Sequence, residues 1–102
     1  MEQISQLKSK IKKHPVKLKT NGSSMLPTIY SGQIVKARSV KRNSLRVGNI
    51  ILFHIDNQLY IHRIIYQEYV KDEFMYLTKG DSCDSLDDWV ITNNNIVGII
   101  EL

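Results

Sequence analysis

The chain has two patterns of hydrophobic and polar positions, and the change between them falls at Pro15. Before this proline, Ile4, Leu7 and Ile11 recur at helical spacing among lysines, which predicts an amphipathic helix over residues 2–13. Proline disfavours helical geometry in the residue that precedes it, so we expect the helix to end there.

After the proline, apolar and polar side chains alternate through most of the chain, which is the period of β-strands. Glycine, asparagine and aspartate separate these runs and favour turns. The sequence predicts strands at residues 16–20, 34–38, 49–55, 59–69, 74–78 and 96–100. The third and fourth of these strands are expected to form a hairpin. We therefore expect a mainly β fold, a small folded-sheet or barrel-like domain at residues 15–102, preceded by a basic helix at 1–14.

The composition is that of an ordinary folded domain, since 42% of the 102 residues are hydrophobic and 24% are charged. This length supports a single domain with one modest core. Cys83 is the only cysteine, which excludes an intramolecular disulfide and suits a reducing compartment. It lies in a polar stretch and is interpreted as an ordinary loop thiol, not as a nucleophile.

Positive charge is concentrated near the N-terminus. Residues 1–20 hold six lysines and one acid, whereas the rest of the chain holds eight cationic and nine acidic residues. Because this excess lies in one segment without interleaved aromatic side chains, we expect no nucleic-acid partner. We expect the helix to pack its apolar stripe on the domain, and peripheral contact with an anionic membrane or a membrane partner is the alternative.

Several other classes of protein are not indicated. No run of about 18 apolar residues occurs, so no transmembrane segment is predicted. The N-terminus lacks the apolar core of a secretory signal, and a cytoplasmic location is expected. The sequence has neither the ligand spacing of a zinc site nor a glycine-rich phosphate loop, so we expect no metal and no other cofactor.

Candidate chemistry lies in residues 22–28, which read Gly-Ser-Ser-Met-Leu-Pro-Thr. A serine hydroxyl becomes a nucleophile when a base removes its proton, and free backbone N–H groups nearby can stabilise the resulting oxyanion. Gly22 allows a close backbone approach, while Pro27 stiffens the far side of the turn. A Gly-Ser-Ser turn is common, but Ser-Met-x-Pro-Thr is much more specific.

This run resembles the nucleophile box of signal peptidase I and that of the LexA-type self-cleaving repressors. The resemblance implies that Ser24, directly before the methionine, is the nucleophile and that Met25 supports the site from the core. It also implies that backbone amides around Ser23 and Ser24 bind the oxyanion. The resemblance extends over roughly residues 18–100, and the further matching boxes follow in family order at residues 30–35, 47–53, 61–65, 77–81 and 96–98.

The base predicted by this resemblance is His62. Arginine follows this histidine, and residues 79–81 read Lys-Gly-Asp. This pattern resembles that of the archaeal and endoplasmic-reticulum signal peptidases, whose base is histidine. The bacterial signal peptidases and LexA use lysine instead. A histidine base also suits neutral pH, because imidazole ordinarily titrates near pH 6.5. His54 is the rival candidate, although isoleucine and not arginine follows it.

A histidine base generally needs a carboxylate on its other ring nitrogen. The resemblance assigns this role to Asp87, with Asp88 as the alternative if the loop is one residue longer than usual. Asp81 is expected to fix the loop near the site by accepting backbone N–H bonds. Asp84 is interpreted as a solvated loop residue.

The sequence departs from the family pattern at several positions. Gln33 and Asn49 replace aspartates that usually follow glycine, and we expect a local structural cost there without loss of chemistry. Gly22 replaces a serine that often helps the oxyanion in signal peptidases. The signal-peptidase anchor and the LexA DNA-binding domain are missing from the sequence. No Ala-Gly or Cys-Gly bond precedes Ser24, so LexA-like self-cleavage is not expected.

The resemblance implies a serine endopeptidase that cleaves a leader or signal segment by a Ser-His-Asp mechanism. The substrate is expected to be a peptide or protein bound as an extended strand, with small side chains just before the cut. The alternative is a catalytically silent peptide-binding domain of the same fold, which the weakened boxes suggest.

Overall fold

The computed structural model describes residues 2–41 and 43–102. It begins with one helix, α1 (Glu2–Lys13), and a short 3₁₀ segment at Asn93–Asn95 precedes the last strand. The strands are β1 (Val16–Lys19), β2 (Ile34–Arg38), β3 (Ile50–Ile55), β4 (Gln58–Val70), β5 (Glu73–Lys79) and β6 (Ile96–Glu101). The prediction of a mainly β fold with one short N-terminal helix is confirmed.

All six strands form one antiparallel sheet in the order β1-β2-β6-β3-β4-β5. Two tight turns connect β3 to β4 and β4 to β5. In the second turn, Lys71 and Asp72 both have positive φ, at 52° and 66°. Positive φ at both central residues matches the right-handed twist of the flanking strands, which is why such turns favour hairpins.

The sheet has a hydrophobic cluster on each face, and β3 contributes to both. Ile50 and Leu52 belong to the first cluster, whereas Ile51 and Phe53 belong to the second. Successive side chains of a strand point to opposite faces, so burial of all four residues means that β3 is covered on both sides. This explains why its sequence begins with four consecutive apolar residues and does not alternate.

The helix α1 closes the first cluster. Ile4 and Ile11 are buried in this cluster and Leu7 packs against it, as the spacing of these residues predicts. Complete burial of each large aliphatic side chain stabilises the fold by roughly 1.5–3 kcal/mol relative to exposure. Within the described part of the chain, no helix has the length and apolar character needed to cross a bilayer.

Candidate active site

The turn that carries Ser24 lies between β1 and β2, and its neighbour Met25 anchors it. The Met25 side chain is buried in the first hydrophobic cluster, and its carbonyl accepts a hydrogen bond from the Ile29 N–H at 2.9 Å. The predicted role of Met25 as support from the core fits this position. Ser24 itself is half-buried beside the cavity described below.

Gly22 is required for a different reason from the one that the sequence suggested. A Cβ atom at this position would have no heavy atom within 4 Å, so the predicted close backbone approach is wrong. The residue instead has φ of +94°, a left-handed conformation that side chains disfavour. A serine here would fit the space but would strain the backbone.

Strand β4 places His62 between the serine and an acidic loop. The Nε2 atom of His62 lies 3.1 Å from Ser24 Oγ, and Nδ1 lies 2.6 Å from Asp87 Oδ2. The His62 residue is only 8% exposed, so bulk water has little access to this pair of hydrogen bonds. The three residues singled out from the sequence thus meet in one hydrogen-bonded line.

Asp87 is held by Thr78, a residue that the sequence argument did not identify. The Thr78 hydroxyl donates to Asp87 Oδ2 at 2.7 Å, and the Asp87 N–H donates to the Thr78 carbonyl at 2.9 Å. The Trp89 Nε1–H in turn donates to the Thr78 hydroxyl oxygen at 3.3 Å. Since Thr78 is fully buried at the end of β5, it fixes the carboxylate against His62. Thr78 lies in the box at residues 77–81, but a threonine on a strand gives no sequence signal for this role.

Asp81 has partners other than those predicted. Arg63 donates to both carboxylate oxygens, from Nε to Oδ1 and from Nη2 to Oδ2, each at 2.8 Å. The Thr28 hydroxyl donates to Oδ2 at 2.6 Å. No described backbone N–H donates to this carboxylate, so the predicted backbone contacts are wrong. A planar guanidinium matches both oxygens at once and takes the place of backbone donors.

The ion pair changes the acidity of this carboxyl. The hydrogen bonds from Arg63 lower the pKa of Asp81 below its ordinary value, and the Thr28 bond adds to this. Partial burial opposes the change but does not cancel it. The same hydrogen bonds raise the pKa of Arg63. Asp81 is therefore a charged partner at neutral pH, which suits a structural link and not proton transfer.

The loop after β5 lies directly against the serine turn. A Cβ atom on Gly80 would lie 2.6 Å from the Ser24 carbonyl oxygen, so only glycine fits without movement. The Ser82 N–H donates to that same carbonyl at 3.0 Å, and the Ser82 hydroxyl donates to the Ser23 carbonyl at 2.9 Å. These bonds fix the backbone on which the candidate nucleophile stands.

The backbone N–H groups of Ser23 and Ser24 have no hydrogen-bond acceptor among the described residues. N–H groups that the fold leaves unused beside a serine hydroxyl can donate hydrogen bonds to an oxyanion. The unused N–H groups fit the prediction that backbone amides around Ser23 and Ser24 bind the oxyanion, since Gly22 has no hydroxyl to do so.

The other candidate catalytic residues form no hydrogen bond with Ser24. His54 is directed to two carbonyl oxygens, of Asp56 at 3.2 Å and of Asn94 at 3.0 Å. Asp84 and Asp88 are exposed, and neither contacts His62 within the part of the chain that the structure describes. Cys83 is a half-buried free thiol. Among residues 2–41 and 43–102, no group of three or more histidine, cysteine or acidic side chains could hold a metal ion.

The two substituted glycine-aspartate boxes keep their local hydrogen bonds. Asn49 Oδ1 accepts from the Arg46 N–H at 2.8 Å. Gln33 Oε1 accepts from the Tyr30 N–H at 3.1 Å. Each side chain supplies an oxygen acceptor in the turn, as an aspartate would. The departures from the family pattern therefore leave the Ser24 turn and β3 in place.

A cavity of about 280 Å³ opens beside Ser24 and His62. Strand β1 borders it on one side and β4 on another, so an extended segment could lie between them. Its apolar walls are formed by Leu18, Met25, Ile29, Leu52, Leu59 and Ile61.

A known protein family matches most of the chain. The Peptidase S24-like family matches residues 2–78 of the chain. The chain belongs to this family. As an S24-like protein, it has a serine peptidase-type fold of the LexA and signal peptidase I superfamily, as the sequence predicted. The match includes Ser24 and His62 and ends before Asp87. No curated protein matches the chain at a significant level.

Proposed function

We propose that this S24-like protein is a serine endopeptidase that cleaves a leader or signal segment from a peptide substrate. Ser24 is the nucleophile and His62 is the general base. Asp87 supplies the carboxylate that orients the His62 ring. The continuous line from Ser24 Oγ through both nitrogens of His62 to Asp87 Oδ2 carries this proposal. It supplies the base contact and the orienting contact that an activated serine needs.

The reaction begins when His62 Nε2 accepts the Ser24 proton as Oγ bonds to the scissile carbonyl carbon. The carbonyl electron pair moves to its oxygen, and the N–H groups of Ser23 and Ser24 stabilise that charge. When the carbonyl reforms, the C–N bond breaks and His62 returns the proton to the leaving amine. Water then attacks the acyl carbon while His62 takes its proton. The bond between that carbon and Ser24 Oγ breaks, His62 returns the proton to Oγ, and the second product leaves as a carboxylic acid.

We propose a histidine-type site, as in the archaeal and endoplasmic-reticulum signal peptidases, and not the lysine-type site of the bacterial enzymes. Lys79, the lysine of the Lys-Gly-Asp box, donates to the carbonyls of Gly80 and Cys83 at 3.0 and 2.7 Å. These contacts hold the loop, and they engage the ammonium with two carbonyl oxygens. The arginine after His62 is engaged with Asp81.

The substrate binds as an extended strand along β1. This strand ends the sheet, and it borders the cavity that contains Ser24. An unpaired strand edge can add a peptide through main-chain hydrogen bonds, while the cavity takes a side chain. For the substrate residue just before the scissile bond, which lies nearest Ser24, we expect a small side chain.

The test is cleavage of a peptide library rich in small residues, read by mass spectrometry. Wild type is compared with Ser24→Ala and His62→Ala, and His54→Ala is the matched control because it removes the rival histidine. We expect Ser24→Ala and His62→Ala each to lower the cleavage rate by at least about 10³-fold. We expect the control to cleave at a rate near that of wild type.

Cleavage by Ser24→Ala at the rate of wild type would show that the assigned site is wrong. If wild type binds peptides of the library but cleaves none, the catalytically silent peptide-binding domain becomes the better account.

A further inference from the structure

A second cavity, of about 370 Å³, lies between α1, the loop that connects β2 to β3, and the segment before β6. It shares no lining residue with the cavity beside Ser24. Its volume falls in the range of cavities that hold small molecules. The proposed peptidase reaction makes no use of it.

One wall of this second cavity is cationic. Lys8 and Lys12, one helical turn apart on α1, line it together with Lys41. None of the described aspartates or glutamates lines the cavity, and none of the three lysines forms an ion pair within the described chain. The only hydrogen bond from these ammonium groups to a described residue is that of Lys8 to the Asn94 carbonyl, at 3.0 Å. Three like charges around one space repel each other, and an anion between them relieves that repulsion.

The lining of this cavity also includes apolar side chains. Ile11, Leu45 and Val97 line it and are buried. Tyr76 also lines it, and its phenol group can donate a hydrogen bond. A hydroxyl on the lining of a cavity is available to an acceptor oxygen bound there. Burial raises the pKa of Tyr76, which keeps the proton on that hydroxyl.

We propose that this lysine-lined cavity binds a phosphate monoester, with the phosphoryl group beside the lysines and the organic part against the apolar side chains. A phosphate monoester carries close to two negative charges at neutral pH and three terminal acceptor oxygens. A carboxylate has a single charge and two oxygens. Three ammonium groups and a phenolic hydroxyl therefore match the monoester better. The ester can come from solution or from a lipid headgroup, and both sources have the same chemistry.

The binding test uses phenyl phosphate as the probe and the full chain labelled with ¹⁵N. Amide shifts are followed during titration at constant ionic strength. We expect saturable shifts at residues that line the lysine-lined cavity. In the double variant Lys8→Gln/Lys12→Gln, we expect the dissociation constant to rise by about tenfold, because two charged donors are lost.

The matched control is Lys17→Gln/Lys36→Gln. It removes the same charge from exposed positions of β1 and β2 that do not line the lysine-lined cavity. We expect its dissociation constant to stay within about twofold of wild type. Tyr76→Phe tests the hydroxyl separately and should weaken binding about threefold. Thermal unfolding of each variant checks that the fold is retained.

Three results would overturn the proposal. The first is the absence of saturable shifts around the lysine-lined cavity. The second is equal weakening in the control, which would mean that the probe senses only net charge. The third is binding of benzoate as tight as that of phenyl phosphate, because the site would then not distinguish a phosphoryl group from a carboxylate.

The source of the ester is separated by co-sedimentation with vesicles of phosphatidylcholine, with and without phosphatidic acid. Binding to the acidic vesicles that phenyl phosphate displaces supports a lipid headgroup. If phenyl phosphate binds in solution and the vesicles do not, a soluble ester is the ligand. Both results support a phosphate monoester site, and neither depends on peptidase activity.

Discussion

Two neighbouring residues of β4 each pair with an aspartate from the loop after β5, and the two pairs differ in kind. His62 contacts Asp87 through one nitrogen at 2.6 Å. Arg63 binds Asp81 through two nitrogens at 2.8 Å. Because the residues are adjacent on a strand, their side chains leave the sheet on opposite faces. One loop therefore supplies a carboxylate to each face.

Each aspartate of these pairs also accepts a hydrogen bond from a threonine. Thr78 donates to Asp87 at 2.7 Å, and Thr28 donates to Asp81 at 2.6 Å. The surroundings of the two carboxylates are thus alike, and the basic partner makes the difference. Guanidinium stays charged and gives a permanent link, whereas imidazole can gain and lose a proton. In the proposed mechanism, only the His62 pair takes part in the reaction.

Removing the charge of Asp87 should have the largest effect on the reaction. For Asp87→Asn we expect a fall in kcat of about 10³- to 10⁴-fold, because the amide can hold His62 in the wrong tautomer. Peptide cleavage and circular dichroism are measured on the same preparation. A variant that stays folded and retains more than a tenth of wild-type kcat would contradict the orienting role.

The matched change in the other pair should affect stability and leave the reaction largely intact. Asp81→Asn weakens the two bonds from Arg63, and hydrogen bonds to charged groups contribute roughly 1.5–3 kcal/mol each. We expect urea unfolding at neutral pH to show a loss of about 2–3 kcal/mol. Cleavage per folded molecule should stay within about tenfold of wild type, and a loss as large as that of Asp87→Asn would remove the contrast between the pairs.

The two threonines allow the same comparison with a smaller change. Thr78→Val removes the donor to Asp87 and keeps the shape of the side chain, so we expect kcat to fall by about tenfold. Thr28→Val is the control and should lower stability by about 1 kcal/mol with little change in kcat. Rescue of kcat by Thr78→Ser would support the hydroxyl as the cause. Equal effects of both valine variants on kcat would argue against separate roles.

The smallest expected effect is the dependence of stability on pH. The folded protein lowers the pKa of Asp81, so the unfolded chain binds this proton first as pH falls. The Asp81 contribution is therefore present at neutral pH and lost progressively below about pH 5. The stability difference between wild type and Asp81→Asn should shrink between pH 6 and pH 3 in urea unfolding. A difference that is constant over this range would show that the charge of Asp81 is not its source.

The elements were predictable from the sequence, while their order in the sheet was not. Alternation, turn residues and Pro15 were enough to locate α1 and all six strands. The pairing of β6 with both β2 and β3 depends on packing between distant parts of the chain. The 3₁₀ segment at Asn93–Asn95 was missed because three successive asparagines have the composition of a loop.

The residues of the candidate site also divide into those that the sequence predicted and those that it did not. Ser24, His62 and Asp87 were identified because motifs of a known family surround them. Thr78 and the Arg63–Asp81 link were not, since they depend on which side chains a fold brings within hydrogen-bond distance. The lysine-lined cavity was also missed, because α1, two loops and β5 each supply only part of it.

The close approach of Gly80 to the Ser24 carbonyl joins two segments that are synthesised at different times. The serine turn leaves the ribosome well before the loop that fixes its backbone and the aspartate that orients its base. A partly synthesised chain therefore carries the serine without the support needed to use it. If the proposed reaction holds, the newborn protein cannot cleave other nascent chains until residues 80–88 have been translated and folded.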